Sequence, residues 1–273
     1  MVVQLRWDHQ FQFAGYYAAQ WEGHYERAGF DVDTRSAIRP DGTIRSAVDE
    51  VVQGRADFGI GAADVLLARD RGADLVVVAT ILQQSAAAFY ALKGTGLDTP
   101  ADFTHLRVAR KVNDLIDVEL QALLHAEGID PATVTPYPHQ AGIDHLVRGD
   151  VDVIPGYEIS AAFQFRLAGV PVETLRPADY GITFYGDSLF TRRELIDRDP
   201  ARVARFVEAT LDGWRHAMDN SDAVADRIAR TLPRVKPFPG GDMATFNRFQ
   251  ADAMAELMLY PVVRLGNSNP ERW

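Results

Sequence analysis

Residues 75–92 read L-V-V-V-A-T-I-L-Q-Q-S-A-A-A-F-Y-A-L. The run from 75 to 82 is apolar, which is typical of a strand buried on both faces of a sheet. A polar triplet follows at 83–85, and a second predicted strand, residues 86–92, begins directly after it without an intervening helix. Because strands and helices alternate before this point, two strands in direct succession indicate that the chain crosses from one lobe to another.

A strand–helix series precedes this crossing and a second series follows it. The first is predicted to contain strands at 30–36 and 56–60 and helices at 13–28 and 62–71. The second is predicted to contain strands at 106–110, 134–137, 151–154 and 170–175, with helices at 114–127, 141–148 and 159–168. The chain is predicted to cross back near 180–192, and a helix with one apolar face begins at Pro200.

The sequence therefore predicts an α/β protein with two lobes, each a mostly parallel sheet flanked by helices, joined by two crossing segments. We expect residues 1–85 and 188–273 to form the first, discontinuous lobe and residues 86–187 to form the second. Two lobes joined in this way place a ligand cleft between them that closes by hinge motion.

Composition and charge exclude several classes of function. The chain has 273 residues, of which 47% are hydrophobic and 24% charged, as in an ordinary globular protein. Its formal net charge of −10 argues against nucleic acid, which requires a basic surface. No apolar run approaches the roughly 20 residues of a membrane-spanning helix. The absence of cysteine excludes disulfides and zinc–sulfur sites, and the scattered histidines form no metal-type pair, so we expect no metal and no cofactor.

The two ends of the sequence bear on where the protein resides. Met1 leads directly into a predicted strand, without the basic and apolar regions of a signal peptide. Near the other end, Asn269 and Pro270 have the residue types of a helix N-cap and first helical position. We therefore expect either a cytosolic protein or a domain taken from a longer chain.

The first candidate binding stretch follows the first predicted strand. Residues 7–17 read W-D-H-Q-F-Q-F-A-G-Y-Y and combine flat aromatic rings with side-chain amides at a helix N-terminus. Such groups suit a flat, heteroatom-rich small molecule. Because residues at the carboxyl end of a strand face the ligand edge of an α/β sheet, we predict that Trp7, Gln12 and Tyr16 face the ligand. A purely structural role in the core is the alternative for both rings, and Trp21 and Tyr25 are assigned to packing.

Two further candidates lie in the same lobe. The segment G-I-G-A-A-D at 59–64 joins a strand to a helix, and we expect its backbone N–H groups and Asp64 to reach the cleft wall. A simple helix-capping role for Asp64 is the alternative. Gln84 and Ser85 lie at the predicted crossing, where they are candidate ligand contacts, hinge residues, or both.

The second lobe supplies the remaining candidates. Asn113 opens a predicted helix, where Asn is most often a cap. Tyr157 and Glu158 occupy the equivalent place after another strand, and a carboxylate there can accept hydrogen bonds from ring N–H or amino groups. Asp187, on the return crossing, is a third candidate acceptor.

Several collinear stretches resemble one family closely. They are L-R-W at 5–7, Q-F-Q-F-A-G-Y-Y-A-A at 10–19, G-F-D-V at 29–32, G-R-A-D-F-G-I at 54–60, I-P-G-Y at 154–157, Y-G-I-T-F-Y-G-D at 180–187 and D-P at 199–200. In this order they resemble bilobal periplasmic solute-binding proteins related to thiamine-pyrimidine-precursor synthase. The resemblance covers essentially the whole chain and implies the type 2 periplasmic binding protein fold.

The resemblance also implies a function. It implies a non-catalytic domain, periplasmic or extracytoplasmic, that closes on a small flat heteroaromatic solute, in the type case a pyrimidine or thiamine precursor. The implied partner is an ABC-transporter permease or a fused membrane signalling domain. The residues N-P-E-R-W at 269–273 resemble family members fused to membrane sensors.

The alternative is a pyrimidine-precursor synthase, which uses an active-site histidine and a lysine-bound pyridoxal phosphate. Gly61 and Val65 stand at the matching positions, and the synthase's cysteine-rich run has no counterpart near 182–190. None of the chain's lysines, Lys93, Lys111 and Lys236, stands where the family's does. We therefore expect no enzyme activity. Many binding members carry Asn-Glu-Pro where this chain has S-A-A at 160–162, and Glu158 is the candidate replacement for that glutamate.

Overall fold

The computed structural model describes residues 1–111, 115–140, 142–234 and 241–272. The chain divides into two compact units: unit 1 contains Met1–Gln83 and Tyr185–Trp273, and unit 2 contains Gln84–Phe184. In chain order the strands are β1 (Val2–Gln4), β2 (Asp33–Arg35), β3 (Phe58–Gly61), β4 (Leu75–Thr80), β5 (Ala87–Leu92), β6 (Val108–Arg110), β7 (Pro136–Pro138), β8 (Val153–Tyr157), β9 (Val172–Leu175) and β10 (Ser188–Arg192). The α-helices are α1 (Ala14–Trp21), α2 (His24–Arg27), α3 (Ala47–Val52), α4 (Ala63–Asp70), α5 (Leu115–Ala126), α6 (Asp144–Val147), α7 (Glu158–Ala168), α8 (Arg193–Arg198), α9 (Pro200–Asp219), α10 (Ser221–Thr231) and α11 (Met243–Met258).

The sheet of unit 1 has the strand order β2-β1-β3-β10-β4. Strand β1 is parallel to β2 and β3, whereas β10 is antiparallel to both β3 and β4. Four strands therefore run in one direction and β10 runs against them. The sequence predicts a crossing segment over residues 180–192 and does not predict β10. The strand was missed because its residues 188–191 (S-L-F-T) are all buried and lack the alternation of a half-exposed strand.

The sheet of unit 2 repeats this plan, with the order β7-β6-β8-β5-β9. Strand β6 is parallel to β7 and β8, and β5 is antiparallel to β8 and β9. In each unit the reversed strand is the first one after the chain enters from the other unit. The predicted α/β class, with mostly parallel sheets flanked by helices, is confirmed.

The first predicted helix is interrupted. The sequence predicts one helix over residues 13–28, but α1 ends at Trp21 and α2 begins at His24. Gly23 lies between them with φ +72°, a left-handed conformation that glycine adopts without a Cβ clash. The prediction of a continuous helix was wrong here because the apolar stripe continues across the break.

The long helix α9 holds unit 1 together. Its Phe206 ring stacks on Phe58 of β3 and on Tyr25 of α2, with centroids 4.1 and 5.2 Å away. Farther along, Gly213 lies so close to α1 that a Cβ there would stand 2.2 Å from the Gly15 carbonyl oxygen. The Phe206 contacts show the predicted apolar face of α9 and the packing role of Tyr25.

The core of unit 2 lies on both faces of its sheet. Alternate residues of β5 point to opposite sides, so Phe89 joins one apolar cluster and Tyr90 the other. Among the described residues, no helix is both long and apolar enough to cross a membrane.

Candidate functional site

An ion pair in unit 1 is the centre of the candidate site. Arg6 Nη1 donates to Asp187 Oδ1 over 3.0 Å, and Gln12 Nε2 donates to Asp187 Oδ2 over 2.7 Å. The Asp187 side chain is 3% exposed and that of Arg6 is 16% exposed. A carboxylate this deeply buried is stabilised by the cation and the amide that it faces.

Sheet topology explains why these side chains meet. Arg6 follows the carboxyl end of β1, and residues 62–64 follow the carboxyl end of β3. Because β10 is reversed, its first residue, Ser188, pairs with Gly61 at that same edge. Asp187 therefore arrives from the opposite direction at the edge where β1 and β3 end.

Burial is the main influence on the Asp187 carboxyl, and it raises the pKa of that group. The charge of Arg6 and the hydrogen bond from Gln12 oppose the rise, while the nearby charge of Asp64 adds to it. Asp187 is thus a hydrogen-bond acceptor whose charged form is stabilised by Arg6 and Gln12.

The turn that carries Gln12 is fixed from behind by α11. The backbone N–H of Phe11 donates to Asn247 Oδ1 over 2.9 Å, and that of Gln12 donates to Gln250 Oε1 over 3.2 Å. Gln10 Nε2 in turn donates to Gln12 Oε1 over 2.6 Å, which orients the Gln12 amide so that its nitrogen faces Asp187.

The two predicted aromatic contacts differ in burial. Trp7 is half-buried. Tyr16 is 1% exposed, and its ring meets Trp214 edge-on with centroids 5.7 Å apart. This burial agrees with a core role for Tyr16. Within the described residues, however, its hydroxyl has no hydrogen-bond partner, and burial, then the charges of Tyr25 and Asp187, raise its pKa well above the usual range.

Asp64 is used locally. Its Oδ1 accepts a hydrogen bond of 2.6 Å from the backbone N–H of Ala62, at the start of α4. The N-cap of α4 is Ala62, so Asp64 is not the cap itself but an acidic residue of the first turn, where negative charge stabilises the helix N-terminus. Asp64 remains close enough to Asp187 to influence that carboxyl, so it lies at the edge of the group.

In unit 2 the structure brings Ser85, Tyr157 and Glu158 together. The reversed strand β5 starts beside the end of β8, where Ala87 pairs with Tyr157 and the Glu158 N–H donates to the Ala86 carbonyl over 2.8 Å. Ser85 Oγ donates to the buried carboxylate of Glu119 over 2.6 Å. The second polar group therefore lies at the carboxyl end of β8 in the second sheet.

Glu158 has its own cationic partner. Its Oε1 accepts from Arg176 Nε over 2.6 Å, and the two side chains are 21% and 43% exposed. The Glu158 carboxylate is therefore paired with a cation within unit 2. Its charge adds to the effect of burial in raising the pKa of Tyr90.

Two further predicted contacts are Gln84 and Asn113. Gln84 is exposed, whereas its neighbour Gln83 is buried. Asn113 lies outside the described residues. Arg110, which precedes it, forms a buried pair with Asp117 over 2.6 Å and also donates to the Val134 carbonyl, so it fixes α5 against the loop before β7.

Sequence reasoning missed Arg6, Gln10 and Glu119. Arg6 carried a usable signal, since it is a lone cation in an apolar strand next to the predicted contact Trp7. Gln10 and Glu119 carried none, because only the folded chain places them against Gln12 and Ser85.

The geometry permits binding by directed hydrogen bonds. Each Asp187 oxygen accepts one hydrogen bond from the protein and keeps a second acceptor position. Among the described residues, no group of three potential metal ligands comes together.

The family assignment comes from a direct comparison. The profile of the NMT1/THI5-like family matches residues 10–224, which is most of the chain. The chain belongs to this family. The predicted resemblance is thereby confirmed.

Two relatives of known description have significant similarity. One is the riboflavin-binding protein RibY of Chloroflexus aurantiacus, 27% identical over 239 residues, covering 82% of this chain and 64% of the relative. The other is the formylaminopyrimidine-binding protein of Halalkalibacterium halodurans, 24% identical over 225 residues, covering 81% and 67% of the two chains. The chain thus spans about two thirds of the length of these relatives.

Solved structures show the same fold. The periplasmic aliphatic sulphonate binding protein SsuA of Escherichia coli superposes with a TM-score of 0.68 at 16% identity, covering 97% of this chain and 94% of SsuA. The desulfurization enzyme DSZB, also 16% identical, superposes with a TM-score of 0.54 and covers 97% and 94%. The fold therefore occurs in both binding proteins and an enzyme, and function has to be argued from the site.

Proposed function

We propose that this NMT1/THI5-like chain is a non-catalytic solute-binding domain that closes on a small, flat, nitrogen-containing heteroaromatic ligand. The single observation that carries the proposal is the buried Asp187 carboxylate, held by Arg6 and Gln12 at the ligand edge of the unit 1 sheet. Adjacent acceptor and donor groups suit the adjacent N–H and ring-nitrogen or carbonyl groups of a heterocycle. The expected cleft between the units belongs to this proposal.

Two observations support a flat ligand. The half-buried Trp7 indole lies after β1 and next to Arg6 in the sequence, where it can offer a ring face. The two relatives are named for riboflavin and formylaminopyrimidine, both nitrogen-containing ring compounds. Ser85, Tyr157 and Glu158 are proposed as the polar contribution of unit 2.

The proposal is tested by ligand-induced stabilisation. Thermal unfolding is recorded with riboflavin, a formylaminopyrimidine and a pyrimidine precursor of thiamine, and affinity is measured by calorimetry. At about 100 times its dissociation constant, a true ligand should stabilise the protein by about 2.7 kcal/mol. An alkanesulfonate is the comparison solute. A clear shift with the sulfonate and none with the heterocycles would overturn the proposed ligand class.

The synthase alternative can be tested separately. Of the chain's lysines, Lys93 and Lys111 are exposed in unit 2, and Lys236 lies outside the described residues. A Schiff base requires a desolvated lysine inside the site. Absorbance spectra with added pyridoxal phosphate should show no new band, and a Schiff-base band would revive the enzyme reading.

The setting of the domain is also part of the proposal. We propose an extracytoplasmic location, as in the periplasmic neighbours, with either a transporter permease or a fused membrane signalling domain as partner. The reading frame beyond Trp273 decides between them, since a following membrane helix and signalling domain would define a receptor. Co-purification with a permease would define a carrier.

A further inference from the structure

Residues 267–272 lie against both points at which the chain passes between its units. These points are the Gln83–Gln84 and Phe184–Tyr185 boundaries. Residues 267–272 belong to unit 1, and we call this segment the strap. Their contacts with Gln83 and Tyr185 are specific and involve buried partners, since these two residues are 4% and 3% exposed.

Gln83 is held by the strap through both its side chain and its backbone. Its Nε2 donates to the Asn267 carbonyl over 2.9 Å, and its own carbonyl accepts from Arg272 Nη2 over 3.0 Å. Its N–H is also used, because it donates to the Leu257 carbonyl at the end of α11. The last residue of unit 1 before the first crossing is therefore fixed on three sides.

Tyr185 is held by the same strap. The Arg272 guanidinium lies over its ring, with Cζ 4.0 Å from the centroid, and the Asn269 N–H donates to its hydroxyl over 2.9 Å. Arg272 is exposed, and a cation–π contact is weaker at an exposed site than at a desolvated one. One residue, Arg272, thus contacts both crossing points.

The crossing points are also connected to the candidate site by backbone hydrogen bonds. Within unit 1, the N–H groups of Ile81 and Leu82 donate to the Asp187 carbonyl, and the Gly186 N–H donates to the Leu82 carbonyl. Asp187, the central site residue, therefore lies in the same hydrogen-bonded pair of segments as Gln83 and Tyr185, which the strap contacts. These three hydrogen bonds link the backbone at Asp187 to the residues that flank Gln83 and Tyr185.

We propose that the strap restricts the backbone of the two crossing points and thereby sets the affinity of ligand-driven closure, an inference that rests on the proposed solute-binding function. Hinge closure takes place through backbone torsions of a few residues at such crossing points. With the strap in place, these residues are already ordered, and little entropy is lost on closure. Without it, binding has to order them, which lowers affinity.

The test uses amide hydrogen exchange of the ligand-free protein, followed by riboflavin titration. In Arg272→Ala, exchange of the Leu82 and Gly186 amides should accelerate about tenfold or more, as expected when a hydrogen bond to a charged group is lost. The riboflavin dissociation constant should rise by about the same factor. Tyr185→Phe keeps the ring under Arg272 and removes the hydroxyl, so both effects should be smaller.

Arg264→Ala is the matched control. Arg264 precedes the strap in the same segment and is exposed, and its side chain has no partner among the described residues. This variant removes an arginine without touching either crossing point. Exchange at Leu82 and Gly186 and riboflavin affinity should both equal those of the unaltered protein.

The exchange pattern separates a local role from general destabilisation. Amides of β3 should keep their protection in Arg272→Ala, and equal acceleration there and at Gly186 would overturn the strap. Unchanged exchange at Leu82 and Gly186 would overturn it as well. If the unaltered protein binds none of the heterocycles, the solute-binding proposal fails, while the ligand-free exchange still shows whether the strap restricts the crossings.

Discussion

Arg6 and Asp187 are 181 positions apart in the chain, and their side chains meet with Nη1 and Oδ1 separated by 3.0 Å. Arg6 lies just after β1, and Asp187 immediately precedes β10. The pair is also buried, so its two charges depend on one another. The contact unites the discontinuous halves of unit 1 at the edge where we propose that the ligand binds.

Removing the Arg6 cation alone should therefore destabilise the folded protein. We expect Arg6→Met to lower the free energy of unfolding by about 3–5 kcal/mol, because it leaves a buried carboxylate without its charge partner. Adding Asp187→Asn should restore much of that loss, since the charge itself is then gone. Urea unfolding of both single variants and the double variant measures the coupling.

The exposed pair Arg148–Asp150 provides the control for this cycle. Its atoms are 2.7 Å apart, but its side chains are 56% and 51% exposed. Exposed pairs contribute at most about 1 kcal/mol. If Arg148→Met proved as damaging as Arg6→Met, burial would not be what makes the Arg6–Asp187 pair matter.

The sequence predicted the fold class well and the site less completely. Periodicity located most strands and helices, and the crossing after residue 82 was visible as two successive strands. It could not show that β5 and β10 are antiparallel, because strand direction depends on pairing with residues far along the chain. Asp187 was a candidate from its place on the return crossing, yet its partners Arg6 and Gln12 follow from that reversed pairing alone.

A buried histidine in unit 2 should make stability depend on pH. His145 is 2% exposed, and neither ring nitrogen has a partner among the described residues. Burial lowers its pKa below 6.5, the Arg148 charge adds to this, and Asp150 and Asp144 oppose it; the His139 ring lies 6.1 Å away. Between the lowered pKa and 6.5 the unfolded chain binds more protons, so stability is lost as the pH falls through this window.

His145→Leu should remove that dependence. At pH 7.5 the variant should be more stable by about 1–3 kcal/mol, the usual penalty of an unsatisfied buried polar group. Its advantage should grow at pH 5, when the unaltered protein has to protonate the buried ring or unfold. Urea unfolding at both pH values measures this. The exposed His125, replaced by Ala, is the control, and an advantage of equal size at the two pH values would contradict the assignment.

The contact of α1 with α9 predicts a substitution whose sign is informative. Gly213 lies within α9, where helix propensity alone would make alanine more stable by about 1 kcal/mol. A Cβ at this position would stand 2.2 Å from the Gly15 carbonyl oxygen and 2.5 Å from the Ala19 nitrogen, which are backbone atoms. We therefore expect Gly213→Ala to destabilise by about 1–3 kcal/mol as the two helices move apart. Stabilisation in thermal unfolding would show that the helices are not in this close contact.

Two tryptophans near the start of the chain separate binding from packing. Trp7 is half-buried at the end of β1, and it makes no ring–ring or cation–π contact with another described residue. Trp21 is also half-buried, but the Arg227 guanidinium lies 4.3 Å from its ring and the Tyr17 ring 5.8 Å from it. We expect Trp7→Ala to abolish heterocycle binding with a small change in melting temperature. Trp21→Ala should lower the melting temperature and leave affinity nearly unchanged. Calorimetric titration and thermal unfolding of both variants test this, and equal affinity in Trp7→Ala and the unaltered protein would remove Trp7 from the binding surface.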